Sequence, residues 1–166
     1  MKIAIVTDKS RKKYIPLEEA QLEDKQKNET LASIKKILSK KYECIDLVLD
    51  DDIIKTLKEE KVDLVFNLCN GIEGESKLAQ FPAMLEYANI PYTSSSILGH
   101  ALAINKIYAS TIFQANGINT PKFIPIYSVD DLEGLDIKFP ILIKPSDEGS
   151  SRGIHQDSLV FNKEQL

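Results

Sequence analysis

Short apolar runs alternate with amphipathic stretches along the first ninety residues. "KIAIVTD" (Lys2–Asp8) opens with a β-branched run of the kind a buried strand shows. "ECIDLVL" (Glu43–Leu49) and "VDLVFNL" (Val62–Leu68) predict two more strands, and "IPYT" (Ile90–Thr93) a brief fourth. Between them, Leu31, Ile34, Ile37 and Leu38 recur at helical spacing from Glu29 onwards, with Asn28 as a plausible N-cap. "DDIIKTLKEE" (Asp51–Glu60) predicts a short amphipathic helix whose Asp51 and Asp52 suit the N-terminal dipole. "KLAQFPAMLEYAN" (Lys77–Asn89) predicts another, in which Pro82 must lie in the first turn or kink the helix. Residues 9–26 are polar around Pro16 and read as a loop or a partly helical excursion. The alternation is that of a parallel sheet covered by helices, an α/β fold of Rossmann-like type. In such sheets ligands bind at the carboxyl ends of the strands. Two polar loops fall there, "TDKS" (Thr7–Ser10) and "NLCNGIEGES" (Asn67–Ser76).

After Thr93 the pattern changes. "SSSILGHALAINKIYASTIFQANG" (Ser94–Gly117) predicts one long helix, capped by Ser95 or Ser96 and ended by Gly117. "INTPKFIPIYSV" is extended, "VDDLEGLD" a turn of helix or a loop, and "FPILIKP" (Phe139–Pro145) a strand. "HQDSLVFNKEQL" offers one more short strand and the first turn of a helix. A domain boundary is therefore expected near Ser94–Ile97, giving residues 1–95 and 96–166.

Composition narrows the classes. The chain has 166 residues, 43% of them hydrophobic, and a net charge of −4. That length gives one ordinary domain or two small ones. The acidic balance argues against a nucleic-acid partner. No apolar run approaches the roughly 20 residues of a membrane span, and the N-terminus does not read as a signal peptide. A cytoplasmic protein is expected, with Cys44 and Cys69 reduced and Cys44 a small core residue. Two histidines, His100 and His155, form no spaced ligand set, so no metal site is expected. Ser94, Ser95 and Ser96 suit helix capping; a nucleophile there would need a base nearby, which no sequence signal supplies. Asp8 could belong to an acidic receiver-type pocket, but Asn67 stands where a second acid is needed.

"ILIKPSDEGSSRGIHQ" (Ile141–Gln156) carries the most chemistry. Gly149 and Gly153 allow close backbone approach to an anion, Ser150 and Ser151 add hydroxyls, and Lys144 adds a compact positive charge. A plain turn has the same composition. It is not a Walker loop, lacking a following Gly-Lys-Ser/Thr, and not a Gly-x-Gly-x-x-Gly fingerprint. Lys106 lies upstream on the predicted long helix.

Taken in order, "DLVFN" with "NGIEGES", "PAMLEYANIPYTSSSILGHALAINK", "GINTPKFIPI" and "FPILIKPSDEGSSRGI" resemble the D-alanine–D-alanine ligases and related ATP-grasp carboxylate–amine ligases. The resemblance covers roughly residues 62–154. It implies an N-terminal Rossmann-like substrate domain followed by an ATP-grasp central domain. It implies ATP and Mg2+ as cofactors, a carboxylate activated as an acyl phosphate, and attack by an amine, in the service of cell-wall peptidoglycan. By the same resemblance Lys106 and Lys144 contact ATP, while Glu148, Gly149, Ser150, Ser151 and Gly153 form a loop over the phosphates. Ser150 would also orient the first amino acid. Members often form homodimers through the N-terminal domain, which makes a homodimer a candidate state here.

Several positions depart from that family. Its Gly-Gly-x-Ser-x-Glu loop after the first strand is absent; Glu29, at the expected helix start, could replace the glutamate that holds the substrate ammonium, or could simply favour the helix dipole. Its His-Gly is Asn70-Gly71 here, and its Met-Asp-Lys is Ile104-Asn105-Lys106. The family's magnesium ligands belong to a third, C-terminal domain, so the chain ending at Leu166 is expected to be an inactive fragment of a ligase. The rivals are a non-catalytic pseudo-ligase and a plain small-molecule or nucleotide-binding module.

Overall fold

The computed structural model describes residues 1–71 and 73–166. Ile72, inside the Asn70–Ser76 motif, lies outside the described residues. The chain divides into two compact units, Met1–Ala101 and Leu102–Leu166.

The first unit is built on three parallel strands, β1 (Lys2–Thr7), β2 (Glu43–Val48) and β3 (Leu64–Asn67), in the order β2-β1-β3. Ile3 of β1 stands opposite Cys44 of β2 and Leu64 of β3. Central β1 is buried on both faces, which explains its unbroken apolar run. On one face Ala4 and Val6 join Val65, Ile53 and Leu57 of α2 (Ile53–Glu59), and Phe81 and Leu85 of α3 (Lys77–Tyr87) in a single core. The opposite alternation places Ile3 and Ile5, also buried, on the other face. "IPYT" is reduced to one parallel bridge, Val65 to Tyr92, made by hydrogen bonds of Val65 with Pro91 and Thr93. Pro82 is the sixth residue of α3 rather than a first-turn residue, and it is buried. It withholds a donor from the carbonyl of Leu78 but fills core space.

The largest correction concerns α1, which runs from Leu17 to Leu38. Its N-cap is Pro16, and Glu18 and Glu19 fall in its first turn. Asn28 and Glu29 therefore lie mid-helix, and neither starts it. The sequence hid this start because the first half of α1 turns polar side chains, Glu23, Asp24 and Lys27, towards partly buried positions. Only Ala20 is fully buried, so the apolar stripe is missing there. Cys44 is half-buried rather than a core residue, whereas Cys69 is buried.

Beyond β3 the expected long helix is two helices, α4 (Ile97–Ile104) and α5 (Lys106–Ala115). Asn105 breaks it: its backbone is extended and its Oδ1 accepts the N–H groups of Ile107 and Tyr108. An aspartate would cap by the same geometry, so asparagine preserves this structural task. Ser96 caps α4 through Gly99 N–H at 3.2 Å. At the far end of α5, Gly117 takes φ +72°, and Ile118 N–H returns to Phe113 O, a Schellman closure.

The second unit pairs two short antiparallel strands, β4 (Ile141–Leu142) and β5 (Leu159–Val160). "FPILIKP" is thus mostly irregular, with one further ladder bond from Ile143 N–H to Ser158 O at 2.8 Å. Single 3-10 turns occupy Val129–Leu132, Gln156–Ser158 and Lys163–Gln165. No helix among the described residues is long and apolar enough to cross a membrane.

Candidate functional site

The Gly-Ser loop of the second unit hangs from the start of α5. Lys106, the first residue of that helix, donates its backbone N–H to Ser146 O at 2.8 Å. Its Nζ donates to the carbonyl oxygen of Glu148. The expected upstream lysine and the loop are thereby brought together by two bonds from one residue. Within the loop, Arg152 N–H donates to Gly149 O at 3.0 Å and Ile154 N–H to Ser151 O at 3.2 Å. Arg152 Nε lies 3.5 Å from Glu148 Oε2, an ion pair across the loop. Arg152 was not singled out from sequence, because it occupies the variable position of the motif.

Ser150 and Ser151 are exposed and both adopt positive φ, +54° and +58°. Two successive left-handed residues with side chains store strain of about 1–2 kcal/mol each, a feature that clusters at ligand loops. Gly153, at φ +69°, packs so closely on Pro145 that a Cβ would meet Pro145 Cγ at 2.6 Å. A Cβ on Gly149 would meet nothing within 4 Å. The two glycines therefore do different things: Gly153 shapes the loop, and Gly149 leaves its surface open. Gly153→Ala should destabilise the fold by about 2 kcal/mol, while Gly149→Ala should leave stability unchanged. Urea midpoints of both variants check this. Lys144 is exposed, just beyond the end of β4.

In the first unit, a polar cluster fills the carboxyl ends of β1 and β3. Asp8, 5% exposed, accepts the backbone N–H of Asn70 at 2.5 Å and of Gly71 at 3.3 Å. It thus joins the loops after the two strands. Lys27 Nζ donates to Asp8 O at 2.9 Å and pairs with Asp24 at 3.0 Å. Asp24 also accepts the Ser10 hydroxyl at 2.6 Å, and Arg11 lies 3.9 Å from Glu23. Glu29 is exposed on the same helix. Sequence reasoning missed Glu23, Asp24 and Lys27 because residues 9–26 read as a loop or a partly helical excursion and Lys27 preceded the expected N-cap, Asn28. Strong helix formers directly after Pro16 were the available signal.

Burial pushes the Asp8 carboxyl above its ordinary 3.8, against the lowering effect of the two backbone donors and Lys27. Glu23 is raised likewise by burial. Asp24 is lowered, first by its hydrogen bond from Ser10. A raised carboxyl binds its proton more readily folded than unfolded, so its contribution to stability falls as pH rises above 3.8. Acidification from about pH 7 towards about pH 4 should therefore favour the natural chain over Asp8→Asn. Urea midpoints at several pH values test this, and a pH-independent difference contradicts it. Beside Asp8, burial pushes the Cys69 thiol far up, so it is held neutral.

The serine run divides its roles. Ser96 caps α4, whereas Ser94, at φ +97°, lies beside a base: its Oγ is 3.0 Å from His100 Nε2. Among the described residues no cluster of three or more His, Cys, Asp or Glu is placed to hold a metal.

A parallel sheet with polar loops at its carboxyl ends, followed by a lysine-anchored Gly-Ser loop, defines an α/β protein of the ATP-grasp class. Comparison with known proteins agrees. The chain is 36% identical over 144 residues to the D-alanine–D-alanine ligase of Carboxydothermus hydrogenoformans, covering 81% of this chain and 44% of that protein. It is 37% identical over 125 residues to the D-alanine–D-alanine ligase of Rickettsia akari, covering 75% of this chain and 38% of that protein. Among solved structures, the D-alanine–D-alanine ligase of Bacillus anthracis matches with a TM-score of 0.67 at 25% identity, covering all of this chain and 51% of the other. The same ligase complexed with ATP matches with a TM-score of 0.64 at 23% identity. No protein-family model matches. The chain belongs to the D-alanine–D-alanine ligase-like ATP-grasp family. It spans less than half the length of these curated relatives.

Proposed function

We propose that these residues form part of an ATP-dependent ligase that joins a carboxylate to an amine, with amino acids as substrates. The observation that carries this reading is the anchoring of the Gly-Ser loop on Lys106. Family membership and the ATP complex of the Bacillus anthracis relative support the nucleotide.

When bound, ATP supplies the phosphoryl group that activates the carboxylate. Lys106 and Lys144 offset phosphate charge as point cations. Glu148 closes the loop through Arg152 and, by its carbonyl, holds the Lys106 ammonium at the loop's root. Gly149 leaves the backbone open to the phosphates, and Ser150 and Ser151 present hydroxyls, with Ser150 also orienting the first amino acid. Gly153 fixes the return of the chain. A closed loop also excludes water, which would hydrolyse an acyl phosphate. For magnesium, which the family implies, the described residues offer no cluster of three or more His, Cys, Asp or Glu.

Among the described residues of the first unit, the substrate ammonium has no ready carboxylate: Asp8 is buried and holds Asn70 and Gly71, Asp24 holds Ser10 and Lys27, Glu23 faces Arg11, and Glu29 is exposed at mid-helix. Asn70 in place of the family's histidine alters the same strand ends, so the substrate need not be D-alanine. The test is amino-acid-dependent release of ADP by the full-length ligase across a panel of D- and L-amino acids. Release that ignores every amino acid contradicts the reading. The 166-residue chain alone is expected to show no turnover.

A further inference from the structure

Asn67, Ser94 and His100 form a hydrogen-bonded series that the ligase reading does not use. Asn67 ends β3, Ser94 follows the Tyr92 bridge, and His100 lies in the first turn of α4. Asn67 Oδ1 accepts the backbone N–H of Cys69 at 2.9 Å. That bond fixes the amide orientation, because only an oxygen can accept there. Nδ2 therefore faces Ser94 Oγ, at 3.4 Å, as a donor. Ser94 Oγ lies 3.0 Å from His100 Nε2, within hydrogen-bond distance. In the tautomer with the ring proton on Nδ1, Nε2 accepts the Ser94 hydroxyl proton, the arrangement a general base needs. Ser94 is exposed, and its φ of +97° is a strained value for a residue with a side chain. Capping does not explain it, since Ser96 does that work.

We propose that Ser94 is a nucleophile activated by His100, a site of acylation by small activated esters. Ser94 Oγ attacks the acyl carbon and a new C–O bond forms. Its proton passes to His100 Nε2. The bond to the leaving alcohol breaks, and the leaving oxygen takes that proton. Water deprotonated by the same nitrogen then releases the carboxylic acid and restores Ser94.

The test incubates the 166-residue chain with 4-nitrophenyl acetate, following nitrophenolate release and mapping acetylated peptides by mass. The expected result is an acetyl group on Ser94 and, in His100→Gln, acylation slower by on the order of a hundredfold. Ser94→Gly should lose the adduct. Glycine suits φ +97°, so this variant keeps the fold, as circular dichroism would confirm. Acetyl groups only on lysines or the N-terminus overturn the proposal, as does an equal nitrophenolate burst from Ser94→Gly.

Discussion

If the proposed ligase function holds, Lys106→Ala in that enzyme is expected to lower kcat/KM by on the order of 10²–10³. Two losses combine. The ammonium proposed to offset phosphate charge is removed, and so is the side-chain bond that holds the loop at Glu148 O. The backbone bond from residue 106 to Ser146 survives the substitution, so the loop should stay attached to α5. Lys106→Arg should rescue little, because a planar fork does not replace a compact ammonium seated on one carbonyl. Lys144→Ala and Ser150→Ala should also reduce turnover strongly, through charge and through substrate orientation. Lys58→Ala, at an exposed position of α2, serves as the control and should leave turnover unchanged. Steady-state kinetics with ATP varied checks the set; turnover by Lys106→Ala equal to the control's would remove this lysine from the site.

Gly71→Ala should be the most damaging small change in the first unit, at about 3 kcal/mol or more. Gly71 takes φ +74°, and a Cβ there would lie 2.2 Å from the backbone oxygen of Lys77. Lys77 begins α3 and is itself buried, so the overlap is with a fixed helix start rather than a movable side chain. The same glycine donates its N–H to Asp8, so relief by shifting the loop would also loosen that clamp. Gly117→Ala separates the two causes. Its φ is nearly the same, +72°, but a Cβ there meets nothing within 4 Å. It should lose only the left-handed preference, about 1 kcal/mol. Urea denaturation of both variants gives the comparison, and equal midpoints would show that the contact with Lys77 yields easily.

The sheet was legible because its strands are apolar runs separated by turn residues, and β1 is buried on both faces. Helix α1 was half hidden. Its early turns cover charged groups rather than the apolar core, so periodicity appeared only from Leu31 onwards. The break at Asn105 was hidden for the opposite reason: apolar positions continue through Ile104, Ile107 and Tyr108, and composition cannot tell a mid-helix asparagine from a cap. The loop's composition could be read from Lys144 to Gly153, but its anchoring by Lys106 at Glu148 needed the fold. So did the pairing of Ser94 with His100. They stand six positions apart in sequence, and the fold brings them to 3.0 Å.

The loop from Lys144 to Gly153, with Lys106, is proposed to receive the phosphates of a nucleotide. Amide and side-chain NMR of the 166-residue chain, titrated with a non-hydrolysable ATP analogue, tests this directly even where binding is weak. The predicted result is a saturable set of shifts centred on Lys106, Ser146 and the amides of Gly149 to Gly153, abolished in Lys106→Ala. Shifts confined to the first unit, or a loop unmoved at saturating nucleotide, would contradict it.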